Sequence, residues 1–146
     1  WTSGEILEVL YNSLNEVGSP DIVLISSPGG NDALQNLSFS QAVININSII
    51  DVLQANNPNV TIIIEQMAPG RSDIMTEELT VFFNLMQQEV INISINKTSA
   101  TSQIIPVNMF NGFNTATLLA DGVHYNELGA EFIADRYFDV LVNVLE

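Results

Sequence analysis

The sequence predicts a single α/β domain over residues 1–146, in which a parallel β-sheet lies between two layers of helices. Three short apolar segments rich in β-branched residues alternate with longer segments of helical periodicity. Strands that alternate with helices in this way pair in parallel and form a three-layer α/β/α sandwich. The 146 residues, 47% of them hydrophobic, suffice for one domain with one core.

The first helix begins at a capping box, in which Thr2 is the N-cap and Glu5 reaches back to it. Gly18 and Pro20 end this helix. The segment 21–26 follows as a short apolar strand of the kind that is covered on both faces. The apolar face of the helix consists of Ile6, Leu7, Leu10, Leu14 and Val17.

The next helix begins at a second capping box, formed by Ser38 and Gln41. Its apolar face consists of Val43, Ile46, Ile50 and Leu53, and Pro58 follows its end. Residues 60–65 form the second strand, and residues 66–71 the loop after it.

A third helix is predicted from about Ile74 to Val90, with an open end because residues 91–95 alternate like a strand. Residues 103–108 form the third strand, and Pro106 favours a position at the sheet edge. A loop, residues 109–120, leads to a final helix that Asn126 caps and that ends near Leu145.

His124 is the only histidine in the sequence, so any histidine chemistry depends on this position. Asp121 precedes it by three residues, and Gly122 softens the turn between them, so the carboxylate can reach the imidazole. A carboxylate in this position orients the ring and leaves the other ring nitrogen free to act as a base. An ordinary turn aspartate beside an exposed or helix-capping histidine is the alternative explanation.

A second polar segment, Gly29-Gly30-Asn31-Asp32, follows the first strand. In parallel sheets, sites lie beyond the carboxyl ends of the strands. We therefore expect residues 29–32 and 121–124, although far apart in sequence, to lie on one rim of the sheet. A turn asparagine that tolerates positive φ is the alternative explanation for Asn31.

The composition excludes several classes of partner and site. A formal charge of −14 argues against nucleic acid and anionic membrane surfaces. No apolar segment reaches the roughly 18–20 residues that would span a bilayer. One histidine, no cysteine and no calcium-binding loop indicate no metal site. The composition does not decide the cellular compartment, although so acidic a chain suits a secreted or periplasmic setting.

Together the two polar segments resemble motifs of the SGNH (GDSL-type) hydrolases, esterases and lipases with a flavodoxin-like parallel sheet. Gly29-Gly30-Asn31-Asp32 is similar to the Gly-x-Asn-Asp block of that family, and Asp121-Gly122-Val123-His124 to its Asp-x-x-His block. The flanking residues 20–25 and 126–129 agree as well. The two blocks are about 90 residues apart, and the resemblance extends over the whole sequence.

The resemblance implies a serine ester hydrolase that needs no cofactor. His124 would be the catalytic base, Asp121 its orienting carboxylate and Asn31 a donor in the oxyanion hole. Gly30 and Asp32 would support the site loop, Asp32 through local hydrogen bonds. The substrate would be a small-molecule or carbohydrate-linked acyl or acetyl ester, or a lipid ester.

The Gly-Asp-Ser block of the family, which carries the nucleophile, has no counterpart in the sequence. Only three of the family's five strands are recognisable, and Tyr125 stands where the family often has proline. We therefore expect the C-terminal three-quarters of such a domain, with the nucleophile upstream of Trp1. Ser3, Ser26 and Ser27 are poor substitutes, because none lies in a nucleophile motif.

Without the first strands, the strand 22–25 should have an exposed apolar edge, so the chain should associate with the missing segment or with itself. A non-catalytic relative, which binds glycans or serves as a scaffold, would also lack the nucleophile. It would have no reason to keep Asn31, Asp121 and His124 together. A flavodoxin-like nucleotide binder would need a phosphate loop, and residues 27–31 form a poor one.

Two further groups of residues allow two interpretations each. Met67, Pro69 and Arg71 either line the cleft or fill a loop. The apolar residues before the Asp121 turn either form a wall of the cleft or pack beneath the loop; they are Phe110, Phe113 and Leu118.

Overall fold

The computed structural model describes residues 1–145, which form three parallel strands and six helices. The elements are, in order, α1 Ser3–Val17, β1 Ile22–Ile25, α2 Gly30–Leu34, α3 Phe39–Asn56, β2 Thr61–Gln66, α4 Glu77–Lys97, β3 Ile104–Asn108, α5 Thr115–Leu118 and α6 Glu127–Leu145. Among these residues, no helix is both long and apolar enough to cross a bilayer.

The three strands form one sheet in the order β1-β2-β3. Ile22 pairs with Thr61, and Ile62 with Ile104, both in parallel register. This confirms the α/β fold with a parallel sheet, and β3 lies at an edge, as Pro106 predicted. All three strands point their carboxyl ends to the same rim.

Alternate side chains of the sheet enter two apolar clusters, one on each face. One face packs against α1, α3 and α4, and its fully buried members include Ile50, Ile62 and Met86. The other packs against α6, with Ile63 and Ile133 buried. The two clusters are the core of a three-layer α/β/α sandwich.

The caps form largely as predicted. Thr2 and Glu5 form a complete capping box, and Asn126 accepts a hydrogen bond from the Gly129 N–H at 3.0 Å. Ser38 accepts from the Gln41 N–H at 3.4 Å, but the second half of the predicted box is not formed between these residues.

The structure fixes the open end of the third helix and corrects two loop predictions. Residues 91–95 continue α4 to Lys97, because Val90, Ile93 and Ser94 are buried on its inner side at helical spacing. The loops predicted after β1 and β3 contain the short helices α2 and α5. Short helices lack the apolar periodicity that identifies longer ones in sequence.

Strand β1 is less covered than its apolar sequence predicted. Leu24 is 47% exposed, whereas Val23 and Ile25 on the opposite face pack into the core. The exposed, unpaired edge matches the expectation for a sheet without its first strands. Val17, predicted on the inner face of α1, is also exposed.

Candidate functional site

The Asp121–His124 turn is held by a dense set of hydrogen bonds. Asp121 Oδ1 accepts from the backbone N–H groups of Val123 and His124, both at 2.8 Å. Asp121 Oδ2 lies 2.8 Å from His124 Nδ1. The Ala120 N–H donates to the His124 carbonyl at 2.8 Å and closes the turn. The carboxylate thereby fixes both the backbone and the ring of the histidine.

This geometry makes Nδ1 the protonated ring nitrogen and leaves Nε2 as the available base. Backbone N–H donation from His124 and Val123, followed by the imidazole, holds the pKa of Asp121 well below its usual range. The side chain of His124 is 79% exposed and that of Asp121 57%, so solvent screens the attraction within the pair. The carboxylate therefore orients the ring more than it stabilises the fold.

Asn31 lies in the first turn of α2, directly beyond the carboxyl end of β1. Gly29 starts this helix with a φ of +75°, and a Cβ there would lie 2.8 Å from Met86 Cε. Gly30 has no such constraint, so glycine is required only at position 29. The Asn31 amide donates one hydrogen to the Trp1 carbonyl at 3.0 Å, which leaves its second hydrogen available.

Asp32 holds the site loop by long-range hydrogen bonds, not by the local ones predicted. It is buried, and it accepts from the Ser3 N–H at 2.8 Å and from Ser3 Oγ at 2.6 Å. Asn45 donates to the same hydroxyl at 3.1 Å. A carboxylate at the start of α1 is also favoured by the helix dipole. Asp32 thus fixes Asn31's helix against α1.

Asn31 and His124 line the same cleft at the carboxyl rim of the sheet, which has a volume of about 240 Å³. The two polar segments predicted to meet therefore do so. Apolar side chains form part of the wall, among them Trp1, Ile6, Leu34, Pro69 and Val123. The cleft can present a base and an amide donor to one small polar group beside apolar surface.

The ambiguous loop residues divide between the two interpretations. Met67 and Pro69 line the cleft, whereas Arg71 pairs with Asp73 at 2.6 Å. The Arg71 backbone N–H donates to the Gly122 carbonyl at 2.8 Å, so this loop braces the histidine turn.

The residues before the turn pack beneath it. Phe113 is buried and contacts the rings of Tyr125 and Phe132, with centroids 5.6 and 5.4 Å away. Leu118 packs into the same cluster, and Phe110 is half-buried.

The three serines near the site are each engaged with a carboxylate. Ser3 donates to Asp32, and Ser26 donates to Glu65 at 3.1 Å. The Ser27 backbone N–H also donates to Glu65, at 2.7 Å. None of these serine hydroxyls is hydrogen-bonded to His124 among the described residues, as a nucleophile would be.

Sequence reasoning missed Glu65, which is fully buried at the carboxyl end of β2 beneath this rim. A single carboxylate that ends an otherwise apolar strand was the available signal.

Neither a protein-family model nor a curated protein matches the sequence. Several solved structures share its fold. A crystal structure of an acetyl esterase serine-to-alanine mutant with acetate ion superposes with a TM-score of 0.84 at 22% identity, covering 99% of this chain and 68% of that one. A carbohydrate esterase family 3 structure from Talaromyces cellulolyticus gives 0.84 at 20% identity, with the same coverages.

Two other solved structures, 18% and 19% identical, give TM-scores of 0.75 and 0.78. The fold that the resemblance to SGNH hydrolases implied is thereby confirmed. At these identities the likeness does not extend to individual residues or substrates.

Proposed function

We propose that this chain is the larger part of a serine ester hydrolase that cleaves acyl or acetyl esters. One observation carries the proposal: a carboxylate-oriented histidine and an asparagine amide line one cleft in a fold shared with esterases. The nucleophilic serine would belong to a segment upstream of Trp1. No cofactor enters the mechanism.

In this mechanism, His124 Nε2 takes the proton of the serine as its oxygen attacks the ester carbonyl. Asp121 keeps the proton on Nδ1 and stabilises the imidazolium that forms. The free hydrogen of the Asn31 amide donates to the developing oxyanion. His124 then gives its proton to the leaving alcohol, and water releases the acid from the acyl-enzyme by the same steps.

The cleft supports a small acyl group. The part of the cleft formed by the described residues has a volume of about 240 Å³, which accommodates a small acyl group. An acetyl ester on a small molecule or a carbohydrate, whose polar remainder stays outside in water, is therefore the favoured substrate.

The test is the intact mass of the native protein before and after a fluorophosphonate serine probe. We expect a species heavier than 16.0 kDa, or a second small chain, to gain one adduct. In that species, His124→Ala should slow labelling by on the order of 10³-fold, because the serine loses its base. Glu131→Ala, an exposed change elsewhere on α6, is the control and should label like the wild type.

A native species of 16.0 kDa that stays unlabelled would contradict the esterase proposal for this chain. The alternative, a non-catalytic glycan-binding or scaffold relative, would then be tested by glycan binding. The described structure offers one argument against that alternative. A binding protein gains nothing from the hydrogen bond between Asp121 Oδ2 and His124 Nδ1, which orients the ring.

A further inference from the structure

Glu65 is a fully buried carboxylate that the proposed reaction does not use directly. It is the penultimate residue of β2, and its side chain lies on the α6 face of the sheet, since Ile63 two residues earlier packs there. Burying a charged group is unfavourable unless hydrogen bonds compensate for the lost water. The hydrogen bonds that Glu65 accepts should therefore indicate its role in the structure.

Both bonds of Glu65 go to the turn that follows β1. Glu65 Oε2 accepts from the Ser27 backbone N–H at 2.7 Å and from Ser26 Oγ at 3.1 Å. Ser27 has a φ of +43°, in the left-handed region that disfavours residues other than glycine. A strained residue persists only where its surroundings hold it, and the short bond to a carboxylate does so here.

This turn carries the proposed oxyanion donor. The Ser27 carbonyl accepts from the Gly30 N–H at 3.0 Å, and Asn31 follows directly in the first turn of α2. Displacement of Ser27 therefore moves the Asn31 amide. Asp32 fixes the same helix against α1, so Asn31 has one anchor on each side.

The charge of Glu65 also acts on the residue that follows His124. Burial, and then the charge of Glu65, raise the pKa of Tyr125 to about 12. Tyr125 is the neighbour of His124 and stands where proline was expected from the resemblance. Among residues 1–145, two buried atoms lack a hydrogen-bond partner, Glu65 Oε1 and the hydroxyl oxygen of Tyr137. The buried carboxylate thus acts on the turn after β1 through hydrogen bonds and on Tyr125 through its charge.

We propose that Glu65 is a positioning residue for the ester hydrolase reaction: its buried carboxylate fixes the strained Ser27 turn and so places the Asn31 amide relative to His124. The inference rests on the proposed function. Glu65 does not line the cleft, so it is assigned no direct contact with the reacting atoms. Its effect passes through Asn31, which acts on the oxyanion of the transition state, so loss of Glu65 should lower kcat and leave KM nearly unchanged.

The test is a double-mutant cycle in the native protein with its nucleophile, assayed with an acetyl ester. Glu65→Leu removes the acceptor at similar volume and should lower kcat at least tenfold, with KM within threefold. Glu65→Gln keeps a carbonyl acceptor for Ser27 and should recover most of this loss. In an Asn31→Ala background, Glu65→Leu should cost no more than about twofold further, because the amide it positions is gone.

The control is Ile64→Val, a neighbouring fully buried strand residue whose change loosens the core without touching the turn. It should leave kcat within twofold of the wild type. An equal loss from Glu65→Leu with and without Asn31, or no loss at all, would overturn the proposal.

A second readout separates this inference from the proposed function. If the native wild type shows no esterase activity, the proposed function fails. Amide exchange and the Asn31 side-chain NMR signals then decide about Glu65 alone. We expect Glu65→Leu to lower the protection of the Ser27 amide at least tenfold and to shift the Asn31 signals, while Ile64→Val does neither. Unchanged Ser27 protection would overturn the inference.

Discussion

At the level of single residues, the carboxylate of Asp121 has two tasks that a neutral side chain cannot perform together. It accepts two backbone N–H bonds and also the imidazole Nδ1–H. Because its pKa is lowered, it stays ionised at pH values well below the usual aspartate range. The stabilisation that Asp121 gives the turn is therefore present above its unfolded-state pKa. It is lost only as the pH falls through the lowered pKa of the folded state.

Asp121→Asn should lower kcat by on the order of 10³-fold or more, because the amide can donate to Nδ1 and favour the wrong tautomer. The ¹⁵N shifts of His124 measure that tautomer directly, and they do so whether or not the protein turns over substrate. The matched control is Asp73→Asn, which changes an exposed carboxylate paired with Arg71. A variant that kept the Nδ1–H tautomer would contradict the assigned role.

The raised pKa of Tyr125 leads to a prediction for stability at alkaline pH. Its pKa is raised to about 12, first by burial and then by Glu65, so the folded protein holds this proton where the unfolded chain, near its ordinary value of about 10, has lost it. Stability should therefore be fully present below pH ~10 and fall as the pH rises toward 12. Thermal unfolding over this range should show a shallower loss for Tyr125→Phe. An equally steep loss would show that Tyr125 does not contribute.

The sequence predicted that the segments of Asn31 and His124 meet, because each lies beyond the carboxyl end of a strand, and both residues line one cleft. It could not predict Glu65 or the task of Asp32. Both depend on which distant backbone groups the fold brings to a buried carboxylate, Ser27 in one case and Ser3 in the other. No local pattern encodes such a partner.

At the level of elements, caps and periodicity placed the long helices well, as Thr2 and Asn126 illustrate. The errors arose where packing decides the structure. The end of α4 at Lys97 depends on the burial of Ile93 and Ser94 against the core, not on the alternation of residues 91–95. The short α2 depends on Gly29 fitting beside Met86.

Helix α6 positions the histidine turn through one close approach. A Cβ at Gly129 would lie 2.0 Å from the Leu118 carbonyl oxygen, a backbone atom that cannot move aside cheaply. Gly129→Ala should therefore destabilise the fold by about 3 kcal/mol or more, measured by urea unfolding.

Gly4→Ala is the matched control, also in a helix. The nearest atom to its Cβ would be Asn45 Nδ2 at 3.4 Å, an ordinary contact. Since alanine is the better helix former, this variant should be neutral or more stable by about 0.5–1 kcal/mol. Equal effects of the two changes would contradict the steric argument.

At the level of the whole molecule, alternation of strands and helices was enough to predict the sandwich, because parallel strands leave few connections open. The extent to which β1 is buried was not predictable in the same way. Its apolar sequence predicted cover on both faces, but β1 has a strand neighbour on one edge only, and Leu24 is exposed.

Because the edge of β1 is unpaired, we expect the 146-residue chain to associate when it is prepared alone. Leu24 is 47% exposed on that edge strand, and Phe138 is 64% exposed on α6, which covers the same face of the sheet. Edge strands that expose apolar side chains recruit another strand, and a lysine there opposes pairing. Sedimentation equilibrium should give an average mass above 16.0 kDa that rises with concentration, and Leu24→Lys should bring it toward 16.0 kDa.

Ile95→Lys provides the control for added charge, because Ile95 is 71% exposed on α4, on the opposite face of the sheet. It changes the net charge by the same amount as Leu24→Lys and leaves the β1 edge intact, so association should persist. If both lysine variants dissociated equally, a general gain in solubility would explain the result and the edge would not. If the wild type were monomeric throughout, the exposed edge alone would be too weak to recruit a partner.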